Sequence, residues 1–376
     1  MYKRVIKLTI LLIAIPFILC GCWDQVLVEK VGFITIVGIE TAPQGNLRLT
    51  YSVPIVDSDT AIRSEVLDTQ ANLTRIARDK LNRTSSKGML AGKIQLVLYS
   101  KQIAGEGRIA GINTIFERDP SNPILAWVVV VDGSPRDLIH QAEENLKDKP
   151  RASVYLNDLL ERAVSTASTI ETRVFSYDLL SMAPGIDNIC PLIKITDKSV
   201  EVNGSVLFSS EKMVGTINVQ DNGLLMAMMK TLKNKKFTYN ASIPSEDGGI
   251  YSERRSSAIM LIQNSNKIKI SIQDNKPIVD IYLDFSGYAD EYKWDNLNDE
   301  KEVKKLNDHV QQQIQQDCQK LIGYMQKVGS DPIGIGDMVR GKNNRYFEKV
   351  DWHKSYKEAT ITAHVKFNLI EYGDIQ

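Results

Sequence analysis

The residues with the clearest chemical potential lie near the start of the chain, in the run Leu19-Cys20-Gly21-Cys22. The Cys22 thiol can accept a diacylglyceryl group, and the small Gly21 leaves the bond before Cys22 accessible to a signal peptidase. A leucine three positions before the cysteine completes the pattern of a bacterial lipobox. We therefore predict that Cys22 is lipidated and becomes the first residue of the mature chain, while Cys20 is removed with the signal.

The segment before this run has the composition of a secretory signal. Lys3, Arg4 and Lys7 form a basic opening, and residues 8–19 are apolar except for a threonine and a proline. A transmembrane helix is the alternative, but a stretch of this length spans only about 18 Å, short of the roughly 30 Å hydrocarbon core. Residues 1–21 are therefore predicted to be a signal peptide, which places the mature chain on the outer face of a membrane.

Two further groups of residues could meet that membrane. Trp23 and Asp24 follow the predicted lipidation site, and they either sit at the level of the headgroups or form a simple tether. Lysines also cluster between residues 230 and 236, and these side chains either face anionic lipid or belong to a solvated loop. The lysines of this cluster are Lys230, Lys233, Lys235 and Lys236.

Two glycines after the longest predicted helix have the spacing of part of a phosphate loop. Gly334 and Gly336 are not followed by a third glycine at the right distance or by a Lys-Ser or Lys-Thr pair, and they follow a helix instead of a strand. A tight turn that buries Ile333 and Ile335 explains the pattern better. Trp352 is predicted to anchor the core or a domain contact instead of stacking on a ligand.

Other residues that could do chemistry do not form a known pattern. The sequence contains no His-Glu-x-x-His, Cys-x-x-Cys or Gly-x-Ser-x-Gly motif, and its histidines are scattered. We therefore predict no catalytic residue, no metal site and no cofactor, and the chain is not expected to be an enzyme. Cys190 and Cys318 are expected to be two buried single thiols, although a disulfide between them stays open. The histidines are His140, His309, His353 and His364.

Length and composition indicate a globular protein of several domains. The chain has 376 residues, and removal of the signal leaves 355, which is too long for one compact core. A hydrophobic fraction of 43% and a charged fraction of 24% argue against disorder. Basic and acidic residues both number 46, so the chain lacks the basic excess that indicates nucleic-acid binding.

The first half of the chain alternates between predicted strands and helices. A Gly45-Asn46 turn joins two strand-like runs into a hairpin, and the continuous apolar run 124–131 is typical of a central buried strand. Ser134-Pro135 begins a helix with proline at its first position. Strands are predicted at 31–40, 47–56, 93–99 and 124–131, and helices at 69–83, 103–117, 152–167 and 176–182.

The second half is richer in predicted strands. Strand-like runs at 192–195, 200–208 and 212–219 precede a short apolar helix at 224–232, and Asn203-Gly204 marks a bulge or a turn. Residues 256–292 are predicted to form a three-strand meander that turns at Asn264-Ser265-Asn266 and Asp274-Asn275-Lys276. A long helix at 299–328 carries one apolar stripe, and the alternating run 359–369 forms a closing strand.

The length suggests two or three domains, and these elements predict an α/β first part followed by an antiparallel sheet with a helix packed across one face, which is an α+β fold. After the signal peptide at 1–21, the predicted division is an N-terminal α/β domain at 22–198, a small middle domain at 199–250 and a C-terminal α+β domain at 251–376. The C-terminal domain contains the long helix 299–328.

Several runs in this order resemble one family, the Ger(x)C lipoproteins, which are the C subunits of bacterial spore nutrient-germinant receptors. Together these runs span essentially the whole mature chain. The sequence departs from the family at Ile333, where an aromatic residue is common, and near Asn343 to Arg345, where a proline is common. The matching runs are Cys22-Trp23-Asp24, Val37-Gly38-Ile39-Glu40, Gly204-Ser205-Val206-Leu207-Phe208 with Met213-Val214-Gly215, Asp331-Pro332-Ile333-Gly334-Ile335-Gly336, and Trp352.

The resemblance implies an α+β fold of three domains, each a mostly antiparallel or mixed β-sheet with packed helices. It also implies a non-catalytic role in nutrient-triggered germination. It implies an A subunit and a polytopic B subunit as partners, in the spore inner membrane, with the lipid anchor holding this chain on the outer face of that membrane. Neither the germinant nor a germinant-binding residue follows from the sequence. The alternative is a lipid-anchored solute-binding protein that captures a small ligand itself. A rise in melting temperature on addition of nutrient would favour that alternative.

Overall fold

The computed structural model describes residues 30–55, 63–118, 123–145, 150–196, 199–243, 255–291 and 300–372, together with positions 2, 4 and 6. The strands are β1 Val31–Phe33, β2 Ile36–Thr41, β3 Leu47–Pro54, β4 Ser64–Ala71, β5 Gly88–Leu90, β6 Leu96–Ser100, β7 Trp127–Asp132, β8 Ile189–Ile195, β9 Val200–Ser209, β10 Lys212–Ile217, β11 Phe237–Ile243, β12 Arg255–Gln273, β13 Lys276–Glu291 and β14 Thr360–Tyr372. The α-helices are α1 Thr74–Thr84, α2 Lys101–Gly105, α3 Ile109–Arg118, α4 Pro135–Asn145, α5 Ala152–Ser165, α6 Val174–Met182, α7 Val219–Met228, α8 Glu300–Val328, α9 Ile335–Lys342, α10 Asn344–Phe347 and α11 Trp352–Glu358.

An eight-stranded sheet in the order β10-β9-β8-β7-β6-β2-β3-β4 organises the first half of the chain. Strands β2, β6, β7 and β8 are parallel, and the outer strands pair antiparallel. Helices cover both faces, so β7 is apolar on both sides: Val128 and Val130 pack with α1, α2, α3 and α6, while Trp127 and Val129 pack with α4 and α5. This two-sided burial is why the predicted central strand has no polar positions.

Strands β11 to β14 form a four-stranded sheet in the order β11-β12-β13-β14, with α8 across one face. The apolar stripe of the predicted long helix is buried against this sheet, at Leu306, Val310, Ile314, Leu321 and Met325. The observed helix α8 agrees with the prediction except at residue 299, which lies outside the described residues. The α+β class with several sheets is therefore confirmed. Strand β14 pairs parallel to β13, so this sheet is mixed.

Side-chain amides of α8 cover the free edge of β14. The Gln319 Oε1 atom accepts the Ala363 N–H at 3.1 Å, and the Gln315 Oε1 atom accepts the Val365 N–H at 3.3 Å. Gln311 and Asn307 continue this ladder on Phe367 and Leu369 at 3.1 and 2.9 Å. The four amides are spaced four residues apart, which matches alternate residues of the strand because both spacings are near 6 Å. They satisfy an edge that would otherwise be open to pairing with another chain.

Three sequence predictions were wrong in detail. The predicted helix 69–83 begins only at Thr74, because residues 64–71 pair with β3, and Leu73 is exposed instead of buried. Residues 103–117 form two helices, separated near Gly107, where φ is +73°. The run 31–40 is two strands, because the Thr35 N–H donates to Ser52 while its carbonyl accepts from Gln95.

The meander predicted at 256–292 was wrong at its first turn, whereas its second turn is confirmed between Gln273 at the end of β12 and Lys276 at the start of β13. Strand β12 continues through residues 264–266, with only a register shift between Gln263 and Ser265. The Asn266 side-chain amide donates to the carbonyls of Ala227 and Met228 at 2.5 and 2.8 Å and so caps the end of α7. Asn266 therefore serves a helix end and not a turn, while the Asn264 amide donates across to Asp284 and Ser286 of β13.

The predicted three-domain division stays a prediction. Within the segment 199–250, strands β9 and β10 belong to the eight-stranded sheet, and β11 belongs to the four-stranded sheet. The sequence predicted either a bulge or a turn at Asn203-Gly204, and the structure has a bulge. Residues 203 and 204 both lie opposite Leu192, between the pairs Pro191–Ser205 and Ile193–Val202.

Candidate functional site

The predicted lipidation site, Cys22, lies outside the described residues, as do Trp23 and Asp24. Cys190 and Cys318 are both buried and both free, as predicted.

Each histidine has a different partner, so the structure does not bring them together: His140 contacts Asp68, His309 contacts the Ser242 carbonyl, His353 contacts Ser210, and His364 contacts Asp280. No group of three or more potential metal ligands occurs within the described part of the chain.

The turn after α8 is organised by one buried carboxylate that the sequence analysis did not single out as a site. Asp331 Oδ1 accepts the N–H groups of Gly334 and Ile335 at 3.1 and 3.0 Å, and Asp331 Oδ2 accepts the N–H of Gly336 at 2.8 Å. These are donors at the start of α9 that have no partner within the helix. Trp352 Nε1 donates to the same Oδ2 atom at 3.1 Å.

A second buried carboxylate joins this turn to the end of the eight-stranded sheet. Asp187 Oδ2 accepts the Asp331 N–H at 2.8 Å, and the Asp187 N–H donates to the Asp331 carbonyl at 3.0 Å. Asp187 Oδ1 accepts the Ser210 N–H at 2.7 Å. Next to this pair, Gly185 accepts the Asp337 N–H at 2.8 Å and approaches so closely that a Cβ on it would lie 2.5 Å from the Gly336 carbonyl carbon. We call Asp187, Asp331 and Trp352 the carboxyl junction.

Burial governs the charge state of the carboxyl junction. The pKa of Asp331 is raised to about 7, chiefly by burial and also by the nearby Asp187 carboxyl, while the backbone and indole N–H donors partly oppose the rise. Burial also raises the pKa of Asp187, against lowering by its two backbone donors and by His353. Each Asp331 oxygen is already occupied by two donors, which leaves no free face for a substrate. The arrangement is suited to holding segments together and not to acid–base catalysis.

The raised pKa predicts a pH dependence of stability. In the unfolded chain the Asp331 carboxyl ionises near 3.8, whereas in the folded chain it keeps its proton to about 7. The folded state binds more protons in this window, so the free energy of unfolding should fall as pH rises from about 4 to about 7, by at most about 1.4 kcal/mol per pH unit. Denaturant unfolding across this range measures the slope. Asp331→Asn removes one of the two junction carboxyls whose pKa is raised and should reduce the slope, and an unchanged slope in that variant would contradict the assignment.

Two sequence predictions for this region are confirmed: the tight turn that buries Ile333 and Ile335, and the anchoring position of Trp352. Ile335 is fully buried and Ile333 nearly so, and Gly334 has a φ of +75°. Trp352 is buried, with Phe347 and Tyr356 as aromatic neighbours. Asp187 carries no sequence signal that would have found it, whereas an aspartate before proline at the end of a long helix could have suggested a capping role for Asp331.

A separate cavity of about 490 Å³ lies between the start of α1 and helix α3. Its lining mixes apolar side chains such as Ile112 and Ile115 with Asn72, Thr74 and Glu211. The volume lies in the range of small-molecule sites. A solute captured directly, as the alternative from the sequence requires, would fit this cavity by size.

Comparison with known proteins identifies the chain's relatives. Residues 24–195 match the family model described as the spore germination protein N-terminal domain, and residues 203–373 match the model described as spore germination B3/GerAC like, C-terminal. The chain belongs to the GerAC-like family of spore germination proteins. The resemblance found in the sequence is therefore confirmed. Asp187 lies in the first matched segment of this GerAC-like chain, and Asp331 and Trp352 lie in the second, so the carboxyl junction connects the two.

Individual relatives align over nearly the whole GerAC-like chain. The spore germination protein GerQC of Bacillus cereus is 23% identical, with 96% of this chain and 98% of the relative covered. Spore germination protein B3 of Bacillus subtilis is 20% identical, with 95% of each covered. The crystal structure of the GerBC protein superposes with a TM-score of 0.57 at 14% identity, covering 93% of this chain and 100% of that one, which supports the fold.

Proposed function

We propose that this chain is the lipid-anchored, non-catalytic C subunit of a nutrient germinant receptor, required when nutrients trigger spore germination. The observation that carries the proposal is the alignment of two germination-family matches, in order, along almost the entire chain. The first match begins at residue 24, two residues after Cys22. That start is the one expected if Cys22 opens the mature chain and residues 1–21 are removed.

The proposed partners are the A and B subunits of the receptor, and the proposed location is the outer face of the spore inner membrane. The signal-like residues 1–21 support export, and the lipobox supports an anchor at Cys22. Within the part of the chain that the structure describes, none of the helices combines the length and the apolar character that a membrane span needs. The carboxyl junction supports a non-catalytic role, because donors already occupy the oxygens of its most buried acid.

Spores that carry Cys22→Ala test the proposal. Alanine has no thiol to acylate, so we expect the mature protein to be lost from the inner-membrane fraction and most of the nutrient response to disappear. The response is measured as loss of optical density after nutrient addition. A germinant that bypasses the receptors should act normally.

Cys20→Ala is the matched control, because it removes the neighbouring thiol from the part of the chain that leaves with the signal. Its nutrient response should equal that of the parent. If Cys22→Ala spores contain a normal level of protein and respond to nutrient like the parent, the anchored-receptor proposal is wrong.

A further inference from the structure

A group of large apolar side chains lies exposed at one end of the eight-stranded sheet, along the edge formed by the starts of its parallel strands. We call Ile124, Leu125, Phe175, Leu179 and Met182 the edge patch; their exposed fractions run from 41% to 73%. Single exposed apolar side chains are ordinary on a protein surface, but a cluster indicates a surface that contacts something else.

Helix α6 explains why these side chains form one surface. Its inner face buries Val174 and Tyr177 against the sheet. Phe175, Leu179 and Met182 follow at intervals of four and three residues, so they project from one face on the other side of the helix. A surface helix normally carries polar residues on its outer face, whereas α6 is apolar on both sides.

The edge patch lies where the parallel strands begin. The Phe175 N–H donates to the Ile124 carbonyl at 3.0 Å, which joins the start of α6 to the loop before β7. The Asn188 side chain donates to Tyr177 and Ser181 at 3.1 and 2.8 Å, which holds the end of α6 near the start of β8. Helix α6 therefore lies across the edge at which β7 and β8 start.

The same edge receives the chain from the predicted anchor. Strand β1 leads directly into the start of β2, and Ile36 of β2 is in register with Leu96, which is in register with Trp127 at the start of β7. Cys22 precedes Lys30 by eight residues, so the fully extended link reaches at most about 28 Å. An anchor at Cys22 would therefore keep Lys30, at this edge of the sheet, within about 28 Å of the anchored residue.

Basic side chains lie at the same end of the sheet as the edge patch. Lys30 and Lys93 are exposed at the same edge, and Arg151 donates to the Ile55 carbonyl at the end of β3 at 3.2 Å. The Arg173 guanidinium lies 3.8 Å from the centre of the Trp127 ring, donates to the Leu125 carbonyl at 3.2 Å and pairs with Glu171 at 2.9 Å, so the unpaired positive charge at this edge, among the described residues, comes from the lysines. Apolar side chains bordered by lysine and arginine are typical of surfaces that rest in the interface of an anionic membrane.

We propose that the edge patch is a second membrane contact, which inserts among the lipid headgroups and orients the subunit on the bilayer that holds its anchor. This inference rests on the proposed lipid anchor at Cys22. The short link favours lipid over a protein partner as the occupant, because it limits how far this edge can stand from the bilayer. The acyl chains on Cys22 hold the protein on the bilayer, and the contact at the edge patch fixes its orientation there.

The test places a polarity-sensitive fluorophore on the full, acylated chain through Leu179→Cys. Cys190 and Cys318 are buried, so labelling is directed to the new thiol. Asp137→Cys is the control, because Asp137 is exposed in the first turn of α4. This helix follows the end of β7, so Asp137 lies at the opposite end of the sheet from the edge patch. The protein is reconstituted in vesicles of phosphatidylglycerol and phosphatidylethanolamine that carry a nitroxide quencher on the acyl chains. We expect blue-shifted emission and several-fold stronger quenching at position 179 than at position 137.

Two results would overturn the inference. Equal, weak quenching at both positions would show that the edge patch stays in water. Protection of position 179 only after the A and B subunits are added would show that the occupant is protein. The mass of the peptide that contains Cys22 reports the anchor independently. An acylated protein with equal quenching defeats the edge-patch inference alone, whereas a protein without acylation defeats the proposed anchor and the inference with it.

Discussion

Asp331→Ala is expected to lower the free energy of unfolding by about 3–5 kcal/mol, because it removes a buried acceptor from several donors at once. The N–H groups of Gly334, Ile335 and Gly336 and the indole N–H of Trp352 would lose their shared partner. Asp331 is almost fully buried, so water cannot replace the carboxylate without opening the junction. Chemical denaturation followed by tryptophan fluorescence measures the loss.

Asp337→Ala provides the matched control six residues along the chain. Asp337 is half-exposed and pairs with Arg340 on the surface of α9, where an ion pair contributes about 1 kcal/mol or less. The two substitutions remove the same side chain from the same turn region, so their difference isolates the buried contacts. Equal stabilities for the two variants would mean that the carboxyl junction does not hold the two family segments together.

Gly204→Ala should destabilise the chain by at least about 3 kcal/mol, because it combines backbone strain with overlap. Gly204 has a φ of +87°, and a Cβ there would overlap the Ile217 carbonyl oxygen and lie 2.8 Å from the Asn218 carbonyl carbon. The Gly204 carbonyl also accepts the Thr169 hydroxyl at 2.9 Å, so the bulge cannot move freely. Moving Asn218 would disturb the cap of α7, where its side chain accepts the Asp221 N–H at 2.8 Å. Thermal and denaturant unfolding measure the effect.

Gly323→Ala is the opposite case and serves as its control. Gly323 is an exposed position of α8, and a Cβ there would meet nothing within 4 Å. The helical backbone suits alanine, so this variant should be more stable than the parent by up to about 1 kcal/mol. A Gly204→Ala variant as stable as Gly323→Ala would show that the bulge is not a close-packed contact.

Local patterns of the sequence were sufficient for the elements whose burial repeats regularly. The hairpin of β2 and β3, the two-sided burial of β7 and the stripe of α8 each follow from periodicity within about a dozen residues. The family could also be inferred from the order of short motifs, because those motifs lie in the same linear sequence that the comparisons use. The predicted lipidation at Cys22 belongs to this class of inference and stays a prediction.

Only the tertiary structure decided which polar side chains matter. Asp187 and Asp331 are separated by 144 positions, and no local pattern marks either as the partner of the other. Gln315 and Gln319 read as solvent-facing positions of a helix, yet they satisfy the edge of β14. In the sequence, the apolar residues on the outer face of α6 look like core residues. The structure shows that they are exposed. Periodicity reports which side of an element is apolar, whereas the partner of each side depends on how distant segments pack.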